Sequence, residues 1–192
     1  MNVTVCIPTI PPRSALLTRA LASVGTQTHP VSAVNIAVDL DRMGHGPCRT
    51  RAIMAASTEW VAFLDDDDEL YPQHIEKLVA CAESTDADVV YPWFDVIGGT
   101  DPFPQFEGRP WDPLAVHLFP ITVLMRREVI LAVGGFTGPH AIIGSEADEA
   151  GGHDWASWRR VFATGAKIVH LPERTWAWHH DSGNTSGLPS RW

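Results

Sequence analysis

Residues 60–72 read WVAFLDDDDELYP, and the fold turns on how that stretch divides. Trp60–Leu64 is a short, wholly apolar run, which suits a strand buried on both faces. It stops at Asp65-Asp66-Asp67-Asp68, and Pro72 then opens a helical pattern with Ile75, Leu78 and Val79 on one face. Four successive carboxylates at the carboxyl end of a strand repel one another strongly unless a cation neutralises them. In open α/β sheets the ligand crevice lies at that end of the strands. All-oxygen ligands there suit a hard divalent ion, Mn²⁺ or Mg²⁺, of the kind that also holds substrate phosphates. The plainer alternative is a solvated acidic turn leading into the helix. The buried strand directly before the run favours the metal.

Strand and helix patterns alternate on the N-terminal side. Val3, Val5 and Ile7 alternate with Thr4 and Cys6 as far as Pro8, a first strand. Ser14 caps a segment with Leu16, Leu17, Ala20, Leu21 and Val24 at helical spacing. Val34–Val38 predicts a second strand ending at Asp39, and Pro47 suits the first turn of a helix running towards Ala56. Asp88–Trp93 predicts a further strand. Such alternation implies βαβ units and an open, Rossmann-like, mostly parallel sheet flanked by helices.

Beyond residue 94 the pattern loosens. Residues 98–113 are rich in Gly and Pro and read as an irregular excursion. Ile121–Met125 predicts a strand, and Arg126–Val133 a short helix ended by Gly134-Gly135. A polar stretch with Glu146, Asp148 and Glu149 leads into a helix over Asp154–Thr164, and Ala166–Leu171 reads as a last strand. Seven of the eight tryptophans lie after residue 90, which suits either flat, ring-like ligands or plain core filling.

Length and composition bound the class. With 192 residues, 45% of them hydrophobic and 19% charged, the chain suits one globular α/β domain. The formal charge of −9 argues against a partner held by charge alone, nucleic acid or anionic membrane. Cys6, Cys48 and Cys81 form no CxxC pair, so neither a disulfide framework nor a zinc ribbon is expected, and reduced thiols fit a cytoplasmic location. The start MNVTVCIPTI is not a signal peptide, and no apolar stretch reaches membrane-spanning length. P-loop and dinucleotide fingerprints, GxSxG and HExxH are absent from the sequence.

Two further constellations carry chemistry. His153-Asp154-Trp155 opens a helix, where the carboxylate either caps the helix or serves as a general base towards a hydroxyl. His179-His180 precedes the glycine-bearing loop Asp181–Gly187. Neighbours on a strand face opposite ways, so at most one of the pair reaches a metal.

Together these residues resemble glycosyltransferase family 2, inverting enzymes of the GT-A fold that use nucleotide-sugars. The resemblance rests on Cys6-Ile7-Pro8-Thr9…Arg13, on RTRAIMAASTEWVAFLDDDDELYP from Arg49 to Pro72, on DVVY at Asp88–Tyr91, on Gly134-Gly135-Phe136, and on HDWASWRRVFATGAKIVHLPE. It implies one GT-A domain over 1–192, with 1–93 as the donor half and 94–192 as the acceptor half with a metal-binding C-terminal loop. Pro8, Thr9 and Arg13, with Asp39 or Asp41, would surround the nucleoside, and Arg49 would help to hold the nucleotide. Asp65, Asp66 and Asp67 take the three DxD places. Asp65 and Asp66 would lie against the donor, Asp65 and Asp67 would bind Mn²⁺ or Mg²⁺, and His180 would complete the metal site. Asp154 falls where the family's base is found. The implied reaction moves one sugar from a nucleoside diphosphate, UDP-linked, to an acceptor hydroxyl with inversion. The resemblance names neither the sugar, nor the acceptor, nor the oligomeric state.

The sequence departs from the family at His153, where the base pair is usually Glu-Asp. The ending Arg191-Trp192 is like that of polymer synthases, yet Leu188 stands at the Gln position, so transfer of a single sugar is expected. Two other classes compete. A sugar-nucleotidyltransferase needs a glycine-rich basic loop after the first strand, and PTIPPRS has no glycine. A non-catalytic nucleotide- or carbohydrate-binding module would keep the fold without turnover.

Overall fold

The computed structural model describes residues 1–99, 101, 120–136 and 152–180. In chain order the elements are β1 Val3–Thr9, α1 Ser14–Gly25, β2 Ala33–Val38, α2 His45–Met54, β3 Trp60–Phe63, β4 Glu69–Leu70, α3 His74–Thr85, β5 Val89–Ile97, β6 Leu124–Arg126, α4 Arg127–Ala132, α5 Gly152–Ala163 and β7 Ile168–His179. The seven strands make one sheet in the order β2-β1-β3-β6-β5-β7-β4. β1 pairs parallel with β2 and β3, and β5 pairs parallel with β7. β6 lies antiparallel to both β3 and β5, and β4 antiparallel to β7. The sheet is therefore mixed: the expected parallel arrangement holds at its β2-β1-β3 end and between β5 and β7. β6 enters from the chain's second half and runs the other way.

Period-two alternation divides the core between the two faces of the sheet. Cys6, Val61, Phe63, Val89, Tyr91 and Trp93 point to one face, covered by Ala52 and Ile53 of α2, Ile130 of α4, and Trp155 and Trp158 of α5. Val5, Ile7, Ala62, Leu64, Val90 and Phe94 point to the other, covered by Ala20 and Val24 of α1 and by Ile75, Leu78 and Val79 of α3. Burial on both sides is why β3 reads as a continuous apolar run; β1, which alternates with Thr4 and Cys6, is buried on both sides as well.

One predicted boundary moves far, and one strand is new. The last strand does not stop at Leu171 but continues to His179. Pro172 would interrupt a regular ladder, yet the β5–β7 register jumps from Pro92↔Leu171 to Trp93↔Arg174, so Pro172 and Glu173 fall in a bulge that needs no amide from the proline. That continuation gives Glu69-Leu70 a partner in Ala177-Trp176, making β4, a strand too short to stand alone. The stretch after Asp101 to 113, the polar segment with Glu146, Asp148 and Glu149, and the loop Asp181–Gly187 lie outside the described residues.

Candidate active site

β1, β2 and β3 end side by side, and each hands its next residues to the same crevice. The Asp39 amide donates to the Thr9 carbonyl, which extends the β1–β2 ladder one step past the strand. Past Leu64 the chain leaves the sheet, and the Asp65–Asp68 turn closes on itself through the Asp68 amide and the Asp65 carbonyl.

The four aspartates have different surroundings. Asp66 is buried and fully engaged: Thr9 Oγ1 donates to Oδ2 at 2.6 Å and Arg13 Nη1 to Oδ1 at 2.6 Å. Arg13 also reaches Asp67 through Nη2 at 3.1 Å, and Arg19 donates to the Asp67 carbonyl. Asp68 accepts the His179 amide at 3.0 Å. Asp65 takes Arg49 Nη2 at 2.5 Å, and Nη1 of the same guanidinium donates to Asp154 Oδ1 at 2.8 Å. Arg49 is thereby shared between the acidic turn and the first turn of α5.

Electrostatics follow from burial. Desolvation raises the pKa of Asp66 against the opposing pull of Thr9 and Arg13. Asp67 is pushed up to about 6 by burial and then by the charge of Asp65, with Arg13 opposing. Burial, Asp65 and Asp67 raise Asp68 well above the ordinary carboxylate range. For Arg49, burial works against the charge, but Asp154 and Asp65 outweigh it and its pKa is raised.

Oxygens of Asp65, Asp67 and Asp68 lie within 4.8 Å of one another. A compact, mostly buried all-oxygen set whose members repel one another fits a hard divalent cation. Among the described residues this converging set includes Asp68 and does not include His180. The strand alternation gives the reason. His179 turns towards the acidic turn, with Nε2 3.6 Å from Glu69, whereas His180 faces the other way and packs edge-on against Trp178 at 4.1 Å.

The predicted nucleoside pocket is gathered only in part. Pro8 and Thr9 are buried at the end of β1, and Arg13 stands beside them across the acidic turn. Asp39 is 2% exposed, and its two oxygens accept the amides of Met43 at 2.9 Å and Gly44 at 2.6 Å. Asp41 is exposed. Asp39 thus shapes the turn into α2, in which Arg42 and Gly44 both take positive φ. That turn carries His45, whose Nε2 is 3.9 Å from Asp154 Oδ2. No sequence signal singles out His45. It reaches the site because Asp39 folds the loop back.

The mixed seven-stranded sheet flanked by helices, with a crevice at the strand ends, is an α/β architecture of the GT-A kind. The profile of "Glycosyl transferase family 2" matches residues 37–151, more than half of the chain, and the chain belongs to that family. Its fold is similar to that of S. aureus TarS 1-349, solved in complex with UDP-GlcNAc (TM-score 0.76, 15% identity, 96% of this chain and 60% of that one). It is also similar to the complex with UDP (TM-score 0.73, 15% identity, 93% and 60%). S. aureus TarS in another crystal structure matches at TM-score 0.73 and 15% identity, with 93% of this chain and 37% of that one covered. The chain thus spans about 60% of the length of the first structures it matches. A comparison with curated proteins gives no match. No described helix is long and apolar enough to cross a membrane.

Proposed function

We propose that the chain transfers one sugar from a UDP-linked donor to an acceptor hydroxyl, with inversion at the anomeric carbon. The observation that carries this reading is the joining of two carboxylate groups by one buried guanidinium: Asp65 of the acidic turn and Asp154 of α5, both on Arg49. Family membership and the TarS complexes with UDP and UDP-GlcNAc support the donor class. Thr9 and Arg13 hold Asp66 and Asp67, so the rim of the donor crevice is set before a ligand arrives. A divalent ion, Mn²⁺ or Mg²⁺, held by Asp65, Asp67 and Asp68 would supply positive charge to the leaving diphosphate.

Asp154 then accepts the proton of the acceptor hydroxyl. The freed oxygen attacks the anomeric carbon from the face opposite the diphosphate. The bond from that carbon to the diphosphate oxygen breaks, UDP leaves, and configuration inverts. Residues 1–93 serve the donor and 94–192 the acceptor.

Thermal stability measured with UDP, other nucleoside diphosphates and UDP-GlcNAc, each with and without Mn²⁺, tests the reading. UDP with Mn²⁺ should raise Tm, by the equivalent of about 2.7 kcal/mol at a hundred times Kd. Asp154→Asn should keep that shift and lose transfer. No shift with any nucleotide, with or without metal, overturns the donor site and leaves the binding-module alternative without its nucleotide form. A shift with transfer intact in Asp154→Asn overturns the base.

A further inference from the structure

Arg49 stands in the middle of α2 with its side chain 3% exposed. Both terminal nitrogens are committed to carboxylates, Nη2 to Asp65 and Nη1 to Asp154. Its guanidinium carbon lies 5.9 Å from the centre of the Phe136 ring. Phe136 is itself fixed edge-on between Phe63 at 5.4 Å and Trp158 at 5.3 Å. Its backbone is tied to the residue after Arg49, since Thr50 Oγ1 accepts the Phe136 amide at 2.9 Å and donates to its carbonyl at 3.2 Å. Strand β3, helix α2, the turn at Gly134-Gly135 and helix α5 all meet at this one cation.

An arginine that grips a diphosphate presents a fork of N–H groups to the ligand. Here each terminal nitrogen of the fork gives a hydrogen bond to a protein carboxylate, 16 and 105 residues away in sequence, and the buried Nε has no hydrogen-bond partner among the described residues. We infer that Arg49 is a positioning residue: it does not hold the nucleotide but sets the carboxylate of Asp154 at a fixed place relative to Asp65. This rests on the reading of Asp154 as the base. Donor-side and acceptor-side groups then keep one geometry, which matters because small misplacements of a reacting group cost rate steeply. Lysine at this position keeps the charge but lacks the rigid planar fork whose two arms meet the two carboxylates.

The test compares wild type, Arg49→Lys, Asp154→Asn and the double variant. It reads UDP affinity with Mn²⁺ by calorimetry, and kcat and KM for UDP release from UDP-GlcNAc with water as acceptor. Arg49→Lys should lower kcat by about 30- to 100-fold while leaving Kd for UDP and KM within about 3-fold, the pattern of a lost interaction made in the transition state. Added to Asp154→Asn, it should lower kcat by less than about 3-fold more, because residues that act as a unit are not additive. A rise of about tenfold or more in Kd and KM with kcat kept overturns the inference and returns Arg49 to the nucleotide. So does full additivity in the double variant.

Should Arg49→Lys fail to fold, Phe136→Leu removes the ring beneath the guanidinium while keeping an apolar core residue. It should lower kcat alone, by about 5-fold, and an unchanged kcat overturns the inference. Wild-type protein that binds no UDP with Mn²⁺ overturns the donor reading and this inference together. Wild-type binding with altered binding in Arg49→Lys overturns the inference alone.

Discussion

Thr9 and Asp66, 57 residues apart, are joined by a 2.6 Å hydrogen bond at the point where the ladder between their strands has run out. The β1–β3 pairing ends at Cys6↔Phe63 with one further backbone bond, from the Leu64 amide to the Cys6 carbonyl, and beyond that side chains join the two strand ends. Arg13 completes the clasp on the other carboxylate oxygen. Thr9→Val keeps the shape and removes the donor. It should cost about 1.5–3 kcal/mol in urea unfolding near pH 7, the range for hydrogen bonds to charged groups. A loss below about 0.5 kcal/mol would show that the bond contributes nothing net.

Asp67 gives a pH-dependent prediction for metal-free protein. Its folded pKa of about 6 lies above the ordinary carboxylate value of 3.8, raised by burial and then by Asp65. A group raised in this way stabilises the fold fully below its unfolded pKa, and that contribution is lost as pH rises through about 6. At pH 7.5 the ionised carboxylate is therefore a cost. Asp67→Asn in chelator should gain stability there, up to about 3 kcal/mol, and the gain should vanish towards pH 4. Tm of both proteins across that range checks it, and a gain independent of pH refutes it. Mn²⁺ should stabilise wild type more at pH 7.5 than at pH 5, because the cation needs the deprotonated ligands.

Gly135 and Gly165 form a matched pair. Both have positive φ, +76° and +78°. A Cβ at Gly135 would sit 2.6 Å from Thr50, the residue that holds Phe136, whereas at Gly165 nothing lies within 4 Å. Gly165→Ala should cost only the left-handed strain of about 1–2 kcal/mol. Gly135→Ala should add about 1–3 kcal/mol of overpacking and displace Phe136 beneath Arg49. Equal losses in urea melts would contradict the crowding at Thr50.

His74 sets an acid limit. It is fully buried, bonds Thr175 Oγ1 through Nδ1 at 2.8 Å, and burial lowers its pKa to about 3. A histidine depressed in the folded state contributes stability above its unfolded pKa near 6.5, and this is lost as pH falls towards about 3. His170, lowered by burial to about 4, adds to the same slope. His74→Gln should reduce the fall in unfolding free energy between pH 6 and pH 4 by roughly one proton's worth, about 1.4 kcal/mol per pH unit. An unchanged slope would mean that His74 is protonated freely in the folded protein.

The first half of the chain was legible because its signals are local. Trp60–Phe63 is apolar on both faces, Val3, Val5 and Ile7 alternate with Thr4 and Cys6, and the helices α1 and α3 show one apolar stripe each. The end of β7 was hidden by Pro172, whose effect depends on a bulge that exists only against β5. β4 was illegible for the same reason, since two residues become a strand only when β7 passes beside them. In the site, the acidic turn announces itself by repulsion alone. What each aspartate touches does not: the partners Thr9, Arg13, Arg49 and His179 come from four elements, and no local pattern links them.

The span of these links bears on how the protein folds. Asp68 meets His179 across 111 residues, Arg49 meets Asp154 across 105, and β5, Val89–Ile97, runs across the division between residues 93 and 94. Contacts of such high order form late, because the loop-closure entropy has to be overcome before they return any stability. A ribosome must release α5 and β7 before the acidic turn can take its final shape. Until then Asp68 lacks the His179 amide and Arg49 lacks Asp154, and the crevice is among the last parts of the molecule to be completed.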